Sequence, residues 1–239
     1  MQITSTTVLP ARREDISFTT SDGLTLVGEL SLPESTQPVA TALFLHPLPT
    51  AGGFMDSHII RKAAWRLPAL ADLAVVRFNF RGVSSPRGTS EGVFGEGITE
   101  ALDLEAALNF VTQRGLPEPW LIGWSFGTEV ILKHAKDHVE KIQGVILLSP
   151  PLHRTTDVEL AAWAQVSIPV VALVPEFDDY LPPQAARQRF APAPNIEIVA
   201  APGAKHLWVG EKQTLFVLGE ITKRMNPSSM PLPEAWPVS

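Results

Sequence analysis

The stretch PWLIGWSFGTEVILKHA, Pro119 to Ala135, decides how this chain is read. An apolar run reaches a serine, Ser125, flanked by Gly123 and Gly127, and a helix-forming segment leaves it. A small polar residue in so tight a bend at the tip of a buried strand either only joins two elements or is held there to react. Gly-x-Ser-x-Gly at a strand-to-helix turn forces the serine into a strained conformation that points its hydroxyl away from the sheet. The glycines relieve the crowding where strand and helix nearly touch. A helix beginning at Phe126 also aims free N–H groups and a partial positive charge at any oxyanion forming beside Ser125. The bare motif recurs by chance; the strand before it and the helix after it make it specific.

Outward from this turn, apolar runs alternate with helical patterns. DISFTTSDGLTLVGELSLP, Asp15–Pro33, reads as two alternating strands turned at Ser21-Asp22-Gly23. Val39–His46, Leu73–Phe80, Lys141–Pro150, Ile168–Pro175 and Asn195–Ala200 read as further strands. The nearly continuous apolar runs among them suit strands covered on both faces. Helices are expected over Asp56–Asp72, with Pro68 kinking or ending it, over Ile98–Gly115, from Phe126 to His138, and from about His206 to Met225. This order predicts an α/β fold with a mainly parallel central sheet, helices on both faces and an antiparallel N-terminal hairpin. With no repeat and no second composition zone, residues 1–225 read as a single domain. The Pro-rich residues 226–239 read as an extended or partly disordered surface tail that Trp236 could pin.

A serine hydroxyl needs a base, and the base needs an orienting carboxylate. For this kind of turn the chain order is serine, acid, histidine. Downstream lie His134, His138, His153 and His206. The first two ride on the helix leaving the turn and point away from its start. Their spacing suits a metal, but no partner is evident nearby, and a solvated helix face is the reading. His206, in PGAKHLWVG after the last strand, is the candidate base, and His153 a candidate pocket residue. VALVPEFDDYLP offers Glu176, Asp178 and Asp179 as the acid, and the residues alone do not choose between the two aspartates. An oxyanion needs two backbone donors. Phe126 N–H, directly after Ser125, is one. In HPLPTAGGFMDS, Pro47 and Pro49 carry no N–H, so Leu48 is the only donor between His46 and Thr50; Gly52 and Gly53 are the alternatives. Trp124, Trp208 and Phe54 flank these residues and are candidates for lining a substrate pocket. No arginine stands at the turn, which favours an uncharged substrate. Asp103 and Glu105 read as structural partners of Arg61 or Arg81.

Over about residues 15–225 the chain resembles the α/β-hydrolase superfamily, and more narrowly the small, cap-less, dienelactone-hydrolase-like bacterial hydrolases. HPLPTAGGFMDS, VVRFNFRGVSSPRG, GWSFG, FDDYLPP and GAKHLWVG carry the resemblance. Relatives read Asp-x-x-x-Pro at the acid, which, aligned on Pro182, selects Asp178. Here Val174-Pro175 stands where they have His-Gly before the acid, and His46-Pro47 replaces the His-Gly of many oxyanion loops. The short segment Pro151–Ser167 leaves room for a minimal lid. The resemblance implies a serine hydrolase of carboxylesterase type with Ser125, His206 and Asp178 as its triad and no cofactor. The same triad could serve an acyltransferase, thioesterase or peptidase, and a non-catalytic binding protein could share the fold.

The bulk properties agree. Apolar residues make up 45% of the 239, enough for a substantial core. With no cysteine, disulfides, thiol catalysis and Cys-based zinc sites are excluded. A net charge of −6 without a basic run argues against nucleic acid or an anionic membrane as partner, and a small-molecule ester is expected instead. No signal-like apolar core or run of about 18 apolar residues occurs, so a cytoplasmic protein is expected.

Overall fold

The computed structural model describes residues 1–237. β1 (Arg12–Thr19) and β2 (Thr25–Leu32) form the antiparallel hairpin. β3 (Ala40–Leu45), α1 (His58–Ala71) and β4 (Leu73–Phe78) make the first parallel unit. β5 (Ser84–Ser85) and β6 (Gly88–Thr89) form a small separate hairpin. There follow α2 (Glu100–Gln113), β7 (Pro119–Trp124), α3 (Phe126–His134), β8 (Gly144–Leu148) and α4 (Asp157–Ala161). β9 (Val170–Phe177), α5 (Pro183–Arg189), β10 (Glu197–Lys205) and α6 (Glu211–Met225) complete the chain of elements.

Eight strands join in the order β1-β2-β4-β3-β7-β8-β9-β10, and from β4 to β10 every neighbouring pair is parallel. The sheet is covered on both faces because its apolar runs split by alternation. Leu43, Leu45, Leu121 and Leu147 face one core, shared with α2 and α3. Ala42, Phe44, Ile122 and Ile146 face the other, shared with α1 and α6. Only α4 lies between β8 and β9, so the fold has no lid. The chain leaves β3 toward β4 but returns to place β7 on the other side of β3. That reversal opens a crevice beyond the carboxyl ends of β3 and β7, where open α/β sheets bind ligands.

Three sequence expectations change. Pro68 does not end α1, which runs through it to Ala71. A proline cannot donate to the carbonyl four residues back. Arg13 satisfies that carbonyl instead: its Nη2 donates to Ala64 O at 3.3 Å and to Trp65 O at 3.2 Å. Leu9 N–H also donates to Trp65 O, at 3.0 Å. The helix leaving the serine stops at His134, and a 3-10 segment containing a non-helical His138 follows. His134 is tied through Nε2 to Gly97 O at 2.7 Å, so the two histidines do not share one solvated helix face. The last helix starts at Glu211, not His206, because β10 continues to Lys205 and a turn through Gly210, at φ +102°, precedes the helix.

The tail crosses back to the N-terminus. Trp236 N–H donates to Met1 O at 2.8 Å, Ile3 N–H donates to Glu234 O at 2.9 Å, and Leu232 is buried against α1 and α6. Backbone pairing therefore holds the tail, with the Trp236 ring only half-buried. Its last two positions, 238 and 239, lie outside the described residues. Among the described residues no helix is long and apolar enough to cross a membrane.

Candidate active site

Because β3, β4, β7, β8, β9 and β10 all run the same way, the loops after them gather at one edge of the sheet. These loops carry Leu48, Arg81, Ser125, Arg154, Asp178 and His206.

Ser125 sits between β7 and α3 at φ +51°, ψ −112°, a region that side chains rarely occupy. Its N–H donates to Leu148 O at 2.9 Å, and its own carbonyl accepts from Thr128 N–H at 2.9 Å. The flanking glycines are required by space. A Cβ on Gly127 would lie 2.2 Å from Leu45 O, and one on Gly123 would lie 2.6 Å from the Gly127 backbone. Strand, helix and β3 therefore approach more closely than any side chain permits.

His206 Nε2 lies 2.9 Å from Ser125 Oγ, and Nδ1 lies 2.9 Å from Asp178 Oδ2. An ionised carboxylate only accepts, so Nδ1 carries the proton and Nε2 is free to accept from the serine. The His206 backbone is held by two donors to its carbonyl: Trp124 Nε1–H at 3.2 Å and Ser149 Oγ–H at 3.1 Å. Tyr180 packs edge-on against the imidazole with ring centroids 4.7 Å apart. Asp178 is buried, and its other oxygen accepts from Tyr180 N–H at 2.9 Å and Leu181 N–H at 3.1 Å. Burial pushes its pKa up, but the bonds from His206 and the two N–H groups outweigh it, and the net shift is downward. Asp179, the alternative, is exposed.

The loop after β3 is fixed from beneath. His46 is fully buried, and burial lowers its pKa to about 4. Phe80 N–H donates to its Nε2 at 3.1 Å, which leaves Nδ1 protonated and donating to Pro47 O at 2.7 Å. The Pro47 carbonyl and the Leu48 N–H belong to one planar peptide unit. Holding the first therefore orients the second. Gly52 N–H is spent on Pro49 O at 3.0 Å and Gly53 N–H on Leu48 O at 2.9 Å. Among the described residues the Leu48 and Phe126 N–H groups have no partner.

These groups border a cavity of about 390 Å³, within the usual range of ligand sites. Trp124, Phe54 and His153 line it, as does Phe126. Trp208 does not, which corrects the expectation for that residue. It is completely buried, stacked on Phe216 of α6 with centroids 6.1 Å apart, and belongs to the core behind the histidine loop. Sequence reasoning missed His46, His58, Glu129, Arg154 and Tyr180. Glu129 stands four residues past Ser125, one helical turn on, and that spacing could have found it. His58 Nε2 lies 2.6 Å from Leu207 O and braces the histidine loop from the start of α1. No arginine stands at the turn itself, but Arg154, from the loop after β8, lines the cavity. Adjacency to His153 was its only signal. Asp103 receives Arg81 Nε–H at 2.8 Å and Arg81 N–H at 2.9 Å, a buried structural pair as expected.

A family model described as alpha/beta hydrolase fold matches residues 43–230. The chain belongs to that family. The "alpha-beta serine hydrolase homologue" of Coxiella burnetii superposes with a TM-score of 0.74 at 27% identity, covering 89% of this chain and 97% of that one. XC6422 of Xanthomonas campestris, described as a serine hydrolase without lid, gives 0.72 at 28% identity over 96% and 99%. The uncharacterized protein RP471 of Rickettsia prowazekii is 30% identical over 139 residues. That match spans 57% of this chain and only 56% of RP471. These likenesses support a hydrolase.

Proposed function

We propose that the protein is a serine hydrolase that cleaves carboxylic esters of small to medium size through an acyl-enzyme. The observation that carries this reading is the unbroken hydrogen-bonded line from Ser125 Oγ through His206 to Asp178, with 2.9 Å at each step. It opens on a cavity bordered by two unpartnered N–H groups. Membership of the hydrolase fold family and likeness to two serine hydrolases add support.

Ser125 attacks the ester carbonyl as its proton passes to His206 Nε2. The carbonyl oxygen becomes an oxyanion held by the N–H groups of Phe126 and Leu48. Asp178, ionised because its pKa is lowered, stabilises the imidazolium and fixes its tautomer. The imidazolium returns its proton to the leaving alkoxide, which departs as an alcohol. Water, deprotonated by the same histidine, then attacks the acyl-enzyme and releases the acid and free Ser125. These steps use only protein groups and water. A cavity of about 390 Å³ without a lid suits a compact ester better than a long lipid.

A fluorophosphonate probe will label the wild type and leave Ser125→Ala unlabelled. Hydrolysis of a short-chain aryl ester will fall by about 10⁴-fold or more in that variant. Equal labelling of the two proteins sinks the reading.

A further inference from the structure

Glu129 and Arg154 both line the cavity beside Ser125, and neither has a role in the chemistry above. Glu129 is 1% exposed. Its Oε1 accepts from the Arg154 backbone N–H, but its Oε2 has no hydrogen-bond partner among the described residues. A buried carboxylate oxygen left unpaired is costly, so its position calls for a reason. The Arg154 guanidinium, too, is left without a hydrogen bond among the described residues. It lies 5.8 Å over the Phe126 ring and comes no nearer than 3.8 Å to Glu129 Oε2. That gap is too long for a direct hydrogen bond. The Arg154 side chain is 34% exposed, so a small outward swing would seat one oxygen atom about 2.8 Å from each group, donating to the carboxylate and accepting from the guanidinium.

We infer that the Glu129–Arg154 pair selects esters bearing a neutral hydroxyl, a substrate class that deepens, and rests on, the hydrolase reading above. A hydroxyl is the smallest group that both donates and accepts. A substrate carboxylate would meet the buried Glu129, whose pKa burial has already raised, and a substrate ammonium would meet Arg154. Either would place like charges together in a poorly solvated site. Glu129 lies one turn, about 6 Å, along α3 from Ser125. The hydroxyl therefore belongs about five or six bonds from the scissile carbonyl, by that rise and ordinary bond lengths. A plain alkyl chain would occupy the same space and leave both groups unpaired. Sites built to hydrogen-bond a substrate group discriminate in this way against analogues that lack it.

Two matched pairs test this: p-nitrophenyl hexanoate against p-nitrophenyl 6-hydroxyhexanoate, and butyl acetate against 4-hydroxybutyl acetate. The readout is the ratio of kcat/KM within a pair, so a general loss of activity cancels. The wild type will favour the hydroxylated member of at least one pair by about tenfold to a hundredfold. Glu129→Gln and, at a partly exposed position less exposed to folding failure, Arg154→Met will bring that ratio to threefold or less. A wild-type ratio of threefold or less in both pairs, or a larger one unchanged by both substitutions, overturns the inference. So does faster turnover of the p-nitrophenyl monoester of adipic acid than of the hydroxylated ester, which would make the pair an anion site. If the plain esters are hydrolysed in a Ser125-dependent way, these failures leave the hydrolase reading standing. If no ester is hydrolysed, that reading fails by itself. The ratio is then measured as Kd for 4-hydroxybutyl acetate against butyl acetate by NMR titration of the Ser125→Ala protein, with equal Kd values overturning the inference.

Discussion

At the scale of single residues, the site is a set of groups whose freedom has been removed. Asp178 illustrates the cost of position: one oxygen is committed to His206, and the other accepts two backbone N–H groups in the turn that follows. Its neighbour Asp179 has the same chemistry but faces solvent. Asp178→Asn will therefore lower kcat/KM for an aryl ester by about 10³ to 10⁴, because an amide cannot hold the imidazole in the required tautomer. Asp179→Asn will change it by less than about threefold, in line with an exposed residue outside the relay. Steady-state kinetics on the two variants settles the assignment, and a larger loss at Asp179 reverses it. Ser125, His206, Phe126 and Leu48 were legible as candidates because each follows from a chemical requirement and a place in the chain. Between the adjacent aspartates, only the resemblance's Asp-x-x-x-Pro spacing to Pro182 selected Asp178; the chemistry of the residues did not, since the two differ only in which way the folded loop turns them. Arg154 and Glu129 were illegible as a pair for a similar reason: 24 intervening positions separate them, and only the packing of the loop after β8 over α3 brings them together.

At the scale of elements, the turn between β7 and α3 works because α3 can lie almost against β3. Gly127→Ala would put a methyl group 2.2 Å from Leu45 O. The helix must then move, with a loss of stability of about 1–3 kcal/mol and a displaced Ser125. Gly219, within α6, offers the contrast. A Cβ there would make an ordinary 3.6 Å contact with Met230, so Gly219→Ala will gain about 0.5–1 kcal/mol from helix propensity. Urea unfolding and ester hydrolysis on both variants check this; a fully active, fully stable Gly127→Ala protein would show that the elbow tolerates more than the geometry allows. Strand and helix identities were readable because alternation and helical spacing survive in sequence. Their ends were less so. Arg13 keeps α1 helical through Pro68, and β10 extends to Lys205 because β9 continues beside it. Both effects come from residues distant along the chain.

At the scale of the whole molecule, buried polar groups make stability depend on pH. His46 titrates near 4 when folded and near its ordinary 6.5 when unfolded. Between those values the unfolded chain binds more protons, so stability is complete above about 6.5 and is lost as pH falls toward 4. The gap is worth about 3 kcal/mol. In urea unfolding at pH 7 and pH 4.5, the wild type will lose about 2–3 kcal/mol more than His46→Gln, which has no such proton to take up. Equal losses would mean that His46 is not held neutral. The sequence by itself determined the class of fold, because apolar periodicity and glycine placement act locally, and it determined the kinds of residue that could do the chemistry. Only the tertiary structure decided which of them meet. The crevice between β3 and β7, the Asp178 carboxylate at 2.9 Å from His206, the burial of Trp208 and the cavity face shared by Glu129 and Arg154 all depend on how distant segments pack. Such contacts are fixed by the volume and direction of neighbouring side chains across the sheet, and no spacing along one strand or helix encodes them.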